Sequence, residues 1–382
     1  FSARLFMQTL DKAKRIIIKI GSALLVDQES GRIKEDWLKS LIEDVVLLKK
    51  EGKDVIIVSS GAVAVGQKSI RTSKEHIKLE EKQAAAACGQ VELMGKYRDL
   101  FKKVDITVAQ ILLTIFDSKS RRNYLNARNT IETLLGCGVI PIINENDTVA
   151  THELRFGDND RLAARVAQMV SADLLILLSD IDGLYTANPK LNREAKHLSL
   201  VEEITKEIED MADVALKAGI GSGGMVTKIE AAKIATAGGC AMLLASGKEK
   251  NPIKNLIENG RHTLFTSGES PLNARKSWIV SSLNITGEVI VDGGALQALK
   301  KGKSLLPAGI IDIKGDFQRG DAVLIKDHKG NEIGKGLSAY SSQDARMIMG
   351  QQSQEIENII GFAGRNELIH RDDLVLVNVD KE

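Results

Sequence analysis

Short aliphatic runs alternate with stretches of helical periodicity along roughly the first two thirds of the chain. Residues 15–22 (RIIIKIGS) form a β-branched run that ends in glycine, and residues 35–50 place apolar side chains at helical spacing. The alternation continues through residues 54–62 to the run CAMLLASG at 240–247. Because the predicted strands are apolar on both faces, we expect a mostly parallel open sheet covered by helices on both sides. The predicted fold is an α/β three-layer αβα sandwich.

The pattern changes near residues 265–280, where the sequence becomes polar and then breaks into short β-like pieces separated by turn residues. A chain of 382 residues is long for a single core, which favours two domains. The predicted organisation is a first domain at 1–267, a linker at 268–277 and a small β-rich domain at 278–382.

Composition and charge limit the classes of partner. The net charge is +1, so no global field attracts nucleic acid or an anionic membrane. No apolar run is long enough to span a membrane. The apolar run among the first residues is too short and too interrupted for a secretory signal. We therefore expect a cytoplasmic protein with a frayed or non-native start. The three cysteines, Cys88, Cys137 and Cys240, are predicted to be buried and reduced.

Polar residues follow four of the predicted strands directly, at 21–22, 59–61, 144–147 and 179–180. In parallel sheets, ligands bind at the carboxyl ends of the strands. This regularity predicts a binding site at that edge more strongly than any single motif does.

The segment GIGSGGMVTKIEAAKIA at 219–235 places four glycines before a predicted helix that carries Lys228. Glycine-rich backbone, a helix N-terminus and a lysine suit a polyphosphate. The spacing is neither a Walker loop nor a dinucleotide fingerprint, so an ordinary glycine-rich turn is the alternative.

Lys19 lies inside the apolar run of residues 15–22. Burying an ammonium group is costly unless it reaches a partner, which favours a functional lysine. The alternative is a solvated lysine on an edge strand.

Carboxylates and amides are dense at 144–147 and 158–160, including Asp147, Asp158, Asn159 and Asp160. Helix capping explains one of them, whereas the cluster would hold Mg²⁺, a substrate ammonium or the lysines. A solvated loop is the alternative. Ser60 lacks the setting of a hydrolase nucleophile. The six histidines show no metal spacing, and most of them are expected at the surface.

Two lysines with a glycine cradle favour phosphoryl transfer, with Mg²⁺ bridging the phosphates of ATP. No histidine is placed to act as a base, so we expect an acceptor that is already ionised, such as a carboxylate.

The chain resembles the glutamate 5-kinases of the amino acid kinase superfamily. The resemblance rests on motifs that occur in order across residues 14–240: IIIKIGSALL, VSSGAVAVG, LNARNTI, PIINENDTVA, FGDNDRLAA, LSDIDGLYTANP and GSGGMVTKIEAA. The later segments GEVIVDGGALQAL, SLLPAGI and QSQEI are similar to a PUA domain.

The resemblance implies transfer of the ATP γ-phosphoryl group to the γ-carboxylate of L-glutamate, the first step of proline synthesis. It assigns to Lys19 and Lys228 the stabilisation of the transferring phosphoryl group and to Asp160 the organisation of these two lysines. It assigns no residue as a metal ligand. The implied glutamate site comprises Ser60, Gly61, Asp147, Asp158 and Asn159. The implied ATP site comprises Lys19, Ser179, Asp180, Ser222, Gly223, Gly224, Met225, Val226, Thr227 and Lys228. Ser222 and Ser179 each replace the threonine usual in the family and keep its hydroxyl.

The resemblance also implies inhibition by proline, a homo-oligomer (dimer or tetramer) and a glutamyl phosphate reductase as a possible partner. Two alternatives remain open: a kinase for acetylglutamate or aspartate, and an RNA-binding protein. Residues 278–382 contain 12 basic and 15 acidic residues. Because RNA affinity depends largely on neutralising phosphates, we do not expect this domain to bind RNA.

Overall fold

The structure is a computed structural model that describes residues 2–70, 78–150, 159–187, 189, 192–217, 224–281 and 284–377. The chain divides into two compact units, Phe1–Pro271 and Leu272–Glu382.

The first unit is built on a sheet whose strand order, within the described residues, is β3-β4-β2-β1-β5-β9-β10-β8. Its neighbouring strands pair in parallel except β10, which is antiparallel to β9. The strands are β1 Arg15–Ile20, β2 Asp54–Val58, β3 Val108–Leu113, β4 Ile140–Glu145, β5 Leu174–Ser179, β8 Leu200–Val201, β9 Ala241–Ser246 and β10 His262–Phe265, and a separate hairpin pairs β6 Leu184–Tyr185 with β7 His197–Leu198.

Helices cover both faces of this sheet. They are α1 Ser2–Lys12, α2 Ser22–Leu25, α3 Glu35–Lys50, α4 Ala62–Gly66, α5 Leu79–Lys102, α6 Ile115–Lys119, α7 Arg121–Gly136, α8 Asn159–Met169, α9 Lys206–Lys217, α10 Gly224–Ala237 and α11 Pro252–Asn259. Successive side chains of a strand point to opposite faces. In β1, Ile16 and Ile18 pack in the apolar cluster that includes residues of α3 and α5, whereas Ile17 packs in the cluster that includes residues of α8 and α10. The three-layer fold predicted from the sequence is confirmed.

Helices α4 and α5 approach so closely that glycine is required at their contact. A Cβ atom at Gly66 would lie 1.8 Å from the carbonyl oxygen of Ala85, and one at Gly89 would lie 1.9 Å from that of Ala62. No side chain fits at such distances, so α5 is held firmly against the short helix that follows β2.

The start of the chain is a packed helix, so the prediction that it is frayed is wrong. Phe6 and Leu10 of α1 are buried in the apolar cluster that includes residues of α3 and α11. The buried ammonium of Lys53 donates to the carbonyl oxygens of Leu10 and Ala13 at 2.8 and 3.1 Å. A cation at the carboxyl end of a helix satisfies free carbonyls and complements the helix dipole.

The prediction that all three cysteines are buried is wrong, and one histidine is buried. Cys88 and Cys137 are exposed, because they lie on the solvent side of α5 and just after α7, and only Cys240 is buried. His262 is buried because it lies within β10, where its ring packs against Phe6. Among the described residues, no helix is both long and apolar enough to cross a bilayer.

The second unit contains a β-sheet of its own, which confirms the prediction of a small β-rich domain. Within the described residues its strand order is β12-β11-β13-β14-β15, antiparallel except for the parallel pair of β11 and β13. Its elements are α12 Pro271–Ser281, β11 Ile285–Val291, α13 Gly293–Lys300, β12 Ile310–Gly315, β13 Ala322–Asp327, β14 Glu332–Leu337, α14 Ser342–Ile348, α15 Ile356–Ile360 and β15 Leu374–Leu376, with short 3₁₀ turns at Pro307–Gly309, Ser353–Glu355 and Arg371–Asp373.

The segment predicted as a linker, residues 268–277, includes the first turns of α12. The domain limits 1–267 and 278–382 stay a prediction.

Candidate active site

Lys19 lies in the middle of the large sheet. Strand β1 pairs with β2 on one side and β5 on the other, and Lys19 is only 6% exposed. It therefore does not lie on an edge strand, and the alternative of a solvated lysine is wrong. Since Lys19 is two residues after Ile17, it points to the face covered by α8 and α10.

Three charged side chains meet on that face. The ammonium of Lys19 forms an ion pair with Oδ1 of Asp160, at the start of α8. Nζ of Lys228, in the second turn of α10, lies 3.0 Å from Oδ2 of the same carboxylate. Asp160 is fully buried, with Oδ1 facing Lys19 and Oδ2 facing Lys228.

Opposing effects act on the pKa of Asp160. Burial alone would raise the pKa, but the charges of Lys19 and Lys228 and their hydrogen bonds outweigh it and lower the pKa below the ordinary value of 3.8. Asp160 is therefore ionised at neutral pH, and the three groups together carry one excess positive charge.

A cavity of about 1030 Å³ opens over this charged centre at the carboxyl ends of the strands. Its size is at the upper end of the range for ligand sites, sufficient for two small ligands. The predicted site residues that line it are Lys19, Ser60, Gly61, Asp147, Asn159, Ser179, Asp180, Gly224, Met225 and Lys228.

On one side of the cavity, the amide of Asn159 ties together the ends of β2 and β4. Its Nδ2 lies 2.6 Å from the carbonyl oxygen of Ser59, 2.9 Å from Oδ1 of Asn144 and 3.1 Å from Oγ of Ser60. Glu145 and Asp147 line the cavity beside these groups. We refer to Ser60, Gly61, Asn144, Glu145, Asp147 and Asn159 as the amide–carboxylate wall.

The backbone shape of this wall depends on Gly61. Gly61 has φ +99°, and a Cβ there would lie 2.8 Å from Cγ2 of Val26. Both observations exclude a side chain at this position. The turn therefore brings the Ser60 hydroxyl and the following backbone to the cavity.

On the other side, the exit of β5 supplies hydroxyl and carboxylate groups. The hydroxyl of Ser179 donates to Oδ1 of Asp180 at 3.1 Å. The carboxylate of Asp182 accepts from the phenol of Tyr185 at 3.0 Å, and Tyr185 in turn accepts from the guanidinium of Arg261 at 3.0 Å. We refer to Ser179, Asp180, Asp182 and Tyr185 as the β5-exit wall.

The residues predicted at the start of α10 divide between two environments. Gly224 and Met225 line the cavity, whereas Val226 packs against the apolar cluster of that face. The Thr227 hydroxyl lies 3.2 Å from the carbonyl oxygen of Gly224 and 3.4 Å from Oδ2 of Asp160. Three other predicted positions, Asp158, Ser222 and Gly223, lie outside the described residues.

No metal cage is present in the part of the chain that the structure describes: no three or more His, Cys, Asp or Glu side chains are grouped so as to hold an ion. A magnesium ion commonly takes one or two carboxylates, with substrate phosphates and waters as its other ligands. A polyphosphate in the cavity would therefore have to supply most of the ligands of such an ion.

Sequence reasoning missed several residues of the cavity. It included Asn144 and Glu145 in the polar cluster at 144–147 without individual roles, and it gave no role to Asp182, Tyr185 or Lys248. Lys248 follows the carboxyl end of β9, so the rule that identified the exits of four other strands would also have identified this one.

Comparisons with known proteins agree with this architecture. The model of the amino acid kinase family matches residues 14–246, and that of the PUA domain matches residues 287–360. A glutamate 5-kinase of Paramagnetospirillum magneticum is 55% identical over 370 residues, covering 97% of this chain and 100% of that protein.

Two further glutamate 5-kinases show the same level of similarity. The protein of Rhodospirillum rubrum is 55% identical, covering 94% of this chain and 96% of its own length. The protein of Agrobacterium fabrum is 54% identical, covering 95% and 92% respectively. The chain therefore belongs to the amino acid kinase family, among the glutamate 5-kinases, and carries a C-terminal PUA domain.

Proposed function

We propose that the protein transfers the γ-phosphoryl group of ATP to the γ-carboxylate of L-glutamate, which yields L-glutamyl 5-phosphate, the first step of proline synthesis. The names of the relatives supply the substrate. The observation that carries the proposal is the buried carboxylate of Asp160 between Lys19 and Lys228, at the base of a cavity with two polar walls.

The charged centre suits a phosphoryl group in transfer. During transfer, negative charge spreads over the equatorial oxygens, and fixed positive charges stabilise it. Lys19 and Lys228 both line the cavity, and Asp160 holds each ammonium in place. The two lysines are thus positioned before any ligand arrives, which avoids the cost of arranging them during the reaction.

The acceptor carboxylate has to be positioned, but no general base is needed to deprotonate it. A carboxylate is ionised at neutral pH, so catalysis requires only that its oxygen be aligned with the phosphorus atom. None of the described residues that line the cavity is a histidine.

The amide–carboxylate wall suits an amino acid acceptor. Asp147 and Glu145 are of the right charge for an α-ammonium group, for which the amide oxygen of Asn159 is a further acceptor, and the Ser60 hydroxyl can donate to a carboxylate. Asp158 is assigned to the same site because it belongs to the motif FGDNDRLAA. L-glutamate is therefore assigned to this wall.

ATP is assigned to the β5-exit wall and the start of α10. Its contacts are proposed for Ser179, Asp180 and residues 222–228, with Lys228 next to the γ-phosphate. Mg²⁺ is proposed to accompany the nucleotide, held mainly by phosphate oxygens, and it would neutralise charge on them.

Regulation and assembly are proposed from the family resemblance. We expect proline to compete with glutamate, the chain to form a homo-oligomer, and a glutamyl phosphate reductase to consume the labile product. Addition of proline to the assay below tests the first of these.

The test is acyl phosphate formation, trapped with hydroxylamine, in the presence of ATP and Mg²⁺. L-glutamate, acetylglutamate and aspartate are compared side by side, with Lys228→Met as the control. We expect hydroxamate from glutamate alone, and a loss of kcat of about 10²–10³-fold in the variant, the size seen when one transition-state donor is removed. Equal product from acetylglutamate or aspartate would reassign the acceptor, and no product from any of the three would refute the kinase.

A further inference from the structure

We propose that Gln90, on α5, is a positioning residue for the acceptor: it orients Asn144 and, through Asn144, the amide of Asn159. The inference rests on the proposed function, because it assigns these amides to the glutamate side of the cavity. Gln90 itself is not among the residues that line the cavity, so it acts only through its neighbours.

A chain of side-chain amides connects α5 to the cavity. Nδ2 of Asn144 donates to Oε1 of Gln90 at 2.8 Å. Oδ1 of Asn144 accepts from Nδ2 of Asn159 at 2.9 Å. Asn144 is only 2% exposed, so water does not easily replace either partner.

Two backbone groups fix the direction of this chain. The backbone N–H of Glu145, which can only donate, bonds to Oδ1 of Asn144 at 2.9 Å. The carbonyl oxygen of Ser59, which can only accept, receives Nδ2 of Asn159 at 2.6 Å. Each asparagine amide therefore has a single favourable orientation, and Gln90 must present its oxygen to Asn144.

The fixed direction has a consequence for Ser60. The two hydrogens of Asn159 Nδ2 serve the two closer acceptors, the Ser59 carbonyl and Asn144 Oδ1, and Ser60 Oγ at 3.1 Å is the most distant of the three. The Ser60 hydroxyl thus retains its own hydrogen, which it can donate to a ligand carboxylate in the cavity.

The helix that carries Gln90 is rigidly placed. Gly89, the preceding residue, forms the close backbone contact with Ala62 of α4, directly after the Ser60–Gly61 turn. Tyr97, two turns further along α5, lies 3.1 Å from the Ser59 hydroxyl. Burial raises the pKa of Tyr97, so its phenol stays protonated at neutral pH. Gln90 and Tyr97 therefore connect one face of α5 to the ends of β4 and β2.

The test is steady-state kinetics of Gln90→Met, which keeps the length of the side chain and removes the acceptor. We expect the KM for glutamate to rise about tenfold, the usual effect of leaving a buried donor unpaired, with the KM for ATP unchanged. Gln83→Met is the matched control: Gln83 donates to the carbonyl oxygen of Ala150 at 3.3 Å from the same helix, outside the amide chain. Its KM for glutamate should stay close to that of the wild type.

A double-mutant cycle shows whether Gln90 acts through Asn159. Gln90→Met should add little in an Asn159→Ala background, because the amide that it orients is already gone. Fully additive effects, or an equal rise in both KM values, would overturn the proposal. Gln90→Ala also removes the acceptor, and it replaces Gln90→Met if that variant does not fold.

The outcomes separate this inference from the proposed function. A wild-type enzyme that phosphorylates glutamate beside a Gln90→Met variant with unchanged KM refutes the role of Gln90 alone. A wild-type protein that makes no product from glutamate refutes both.

Discussion

Each of the two units buries an aspartate beside basic side chains, and the two arrangements differ in their charge balance. Asp160 of the first unit is fully buried and faces two lysines. Asp373 of the second unit is 4% exposed and pairs with Arg275 of α12, whose Nε lies 2.9 Å from Oδ1. The side chains named here are two cations and one anion in the first group, and one cation and one anion in the second.

The two groups also differ in what surrounds them. Lys19 and Lys228 line a large cavity, so their charges are available to an anion. Arg275 and Asp373 do not line this cavity, and both side chains are almost completely buried. Burial of a charged pair therefore does not by itself mark a candidate functional site, whereas an unbalanced charge next to a cavity does.

The largest effect on stability should come from the balanced pair. Arg275→Met removes the guanidinium from buried Asp373, which should lower the free energy of unfolding by about 3–5 kcal/mol. Urea unfolding measures this change. The double variant Arg275→Met with Asp373→Leu should recover most of the loss, because no buried charge is left. A single variant as stable as the wild type would contradict the structural role of the pair.

In the unbalanced group, one lysine can be lost at a smaller cost in stability. Lys228→Met leaves Asp160 paired with Lys19, so the free energy of unfolding should change by only about 1 kcal/mol, while kcat falls as described above. Urea unfolding and the hydroxamate assay on the same preparation test this separation. Equal loss of stability in Lys228→Met and Arg275→Met would remove the contrast between the two groups.

The smallest expected effect is the change that acid pH makes in the contribution of Asp160 to the free energy of unfolding. Because the folded pKa of Asp160 lies below 3.8, its contribution to stability is complete above that value and is lost as pH falls through the folded pKa. The stability difference between the wild type and Asp160→Asn should be constant from about pH 8 to pH 5 and narrow only in more acid solution. Unfolding curves at several pH values provide the measurement, and narrowing near neutral pH would be inconsistent with the lowered pKa.

Local patterns were sufficient to predict the main elements. The runs at 15–22, 54–62 and 240–247 became β1, β2 and β9, because their aliphatic side chains are buried on both faces of one sheet. The positions after the strands also predicted which polar residues meet, since parallel strands end at the same edge. The start of the chain was mispredicted because the burial of Phe6 and Leu10 depends on residues far along the chain.

The sequence by itself determined the order of strands and helices, the polar exits and the lysines that belong to the site. Only the tertiary structure decided that β1 is central, which oxygen of Asp160 faces Lys19 and which faces Lys228, and that Gln90 reaches Asn144 across 54 positions of chain. The physical reason is that periodicity records which face of an element is apolar. The choice of a polar partner depends on distances between elements, and these are set by packing, such as the glycine contact between α4 and α5.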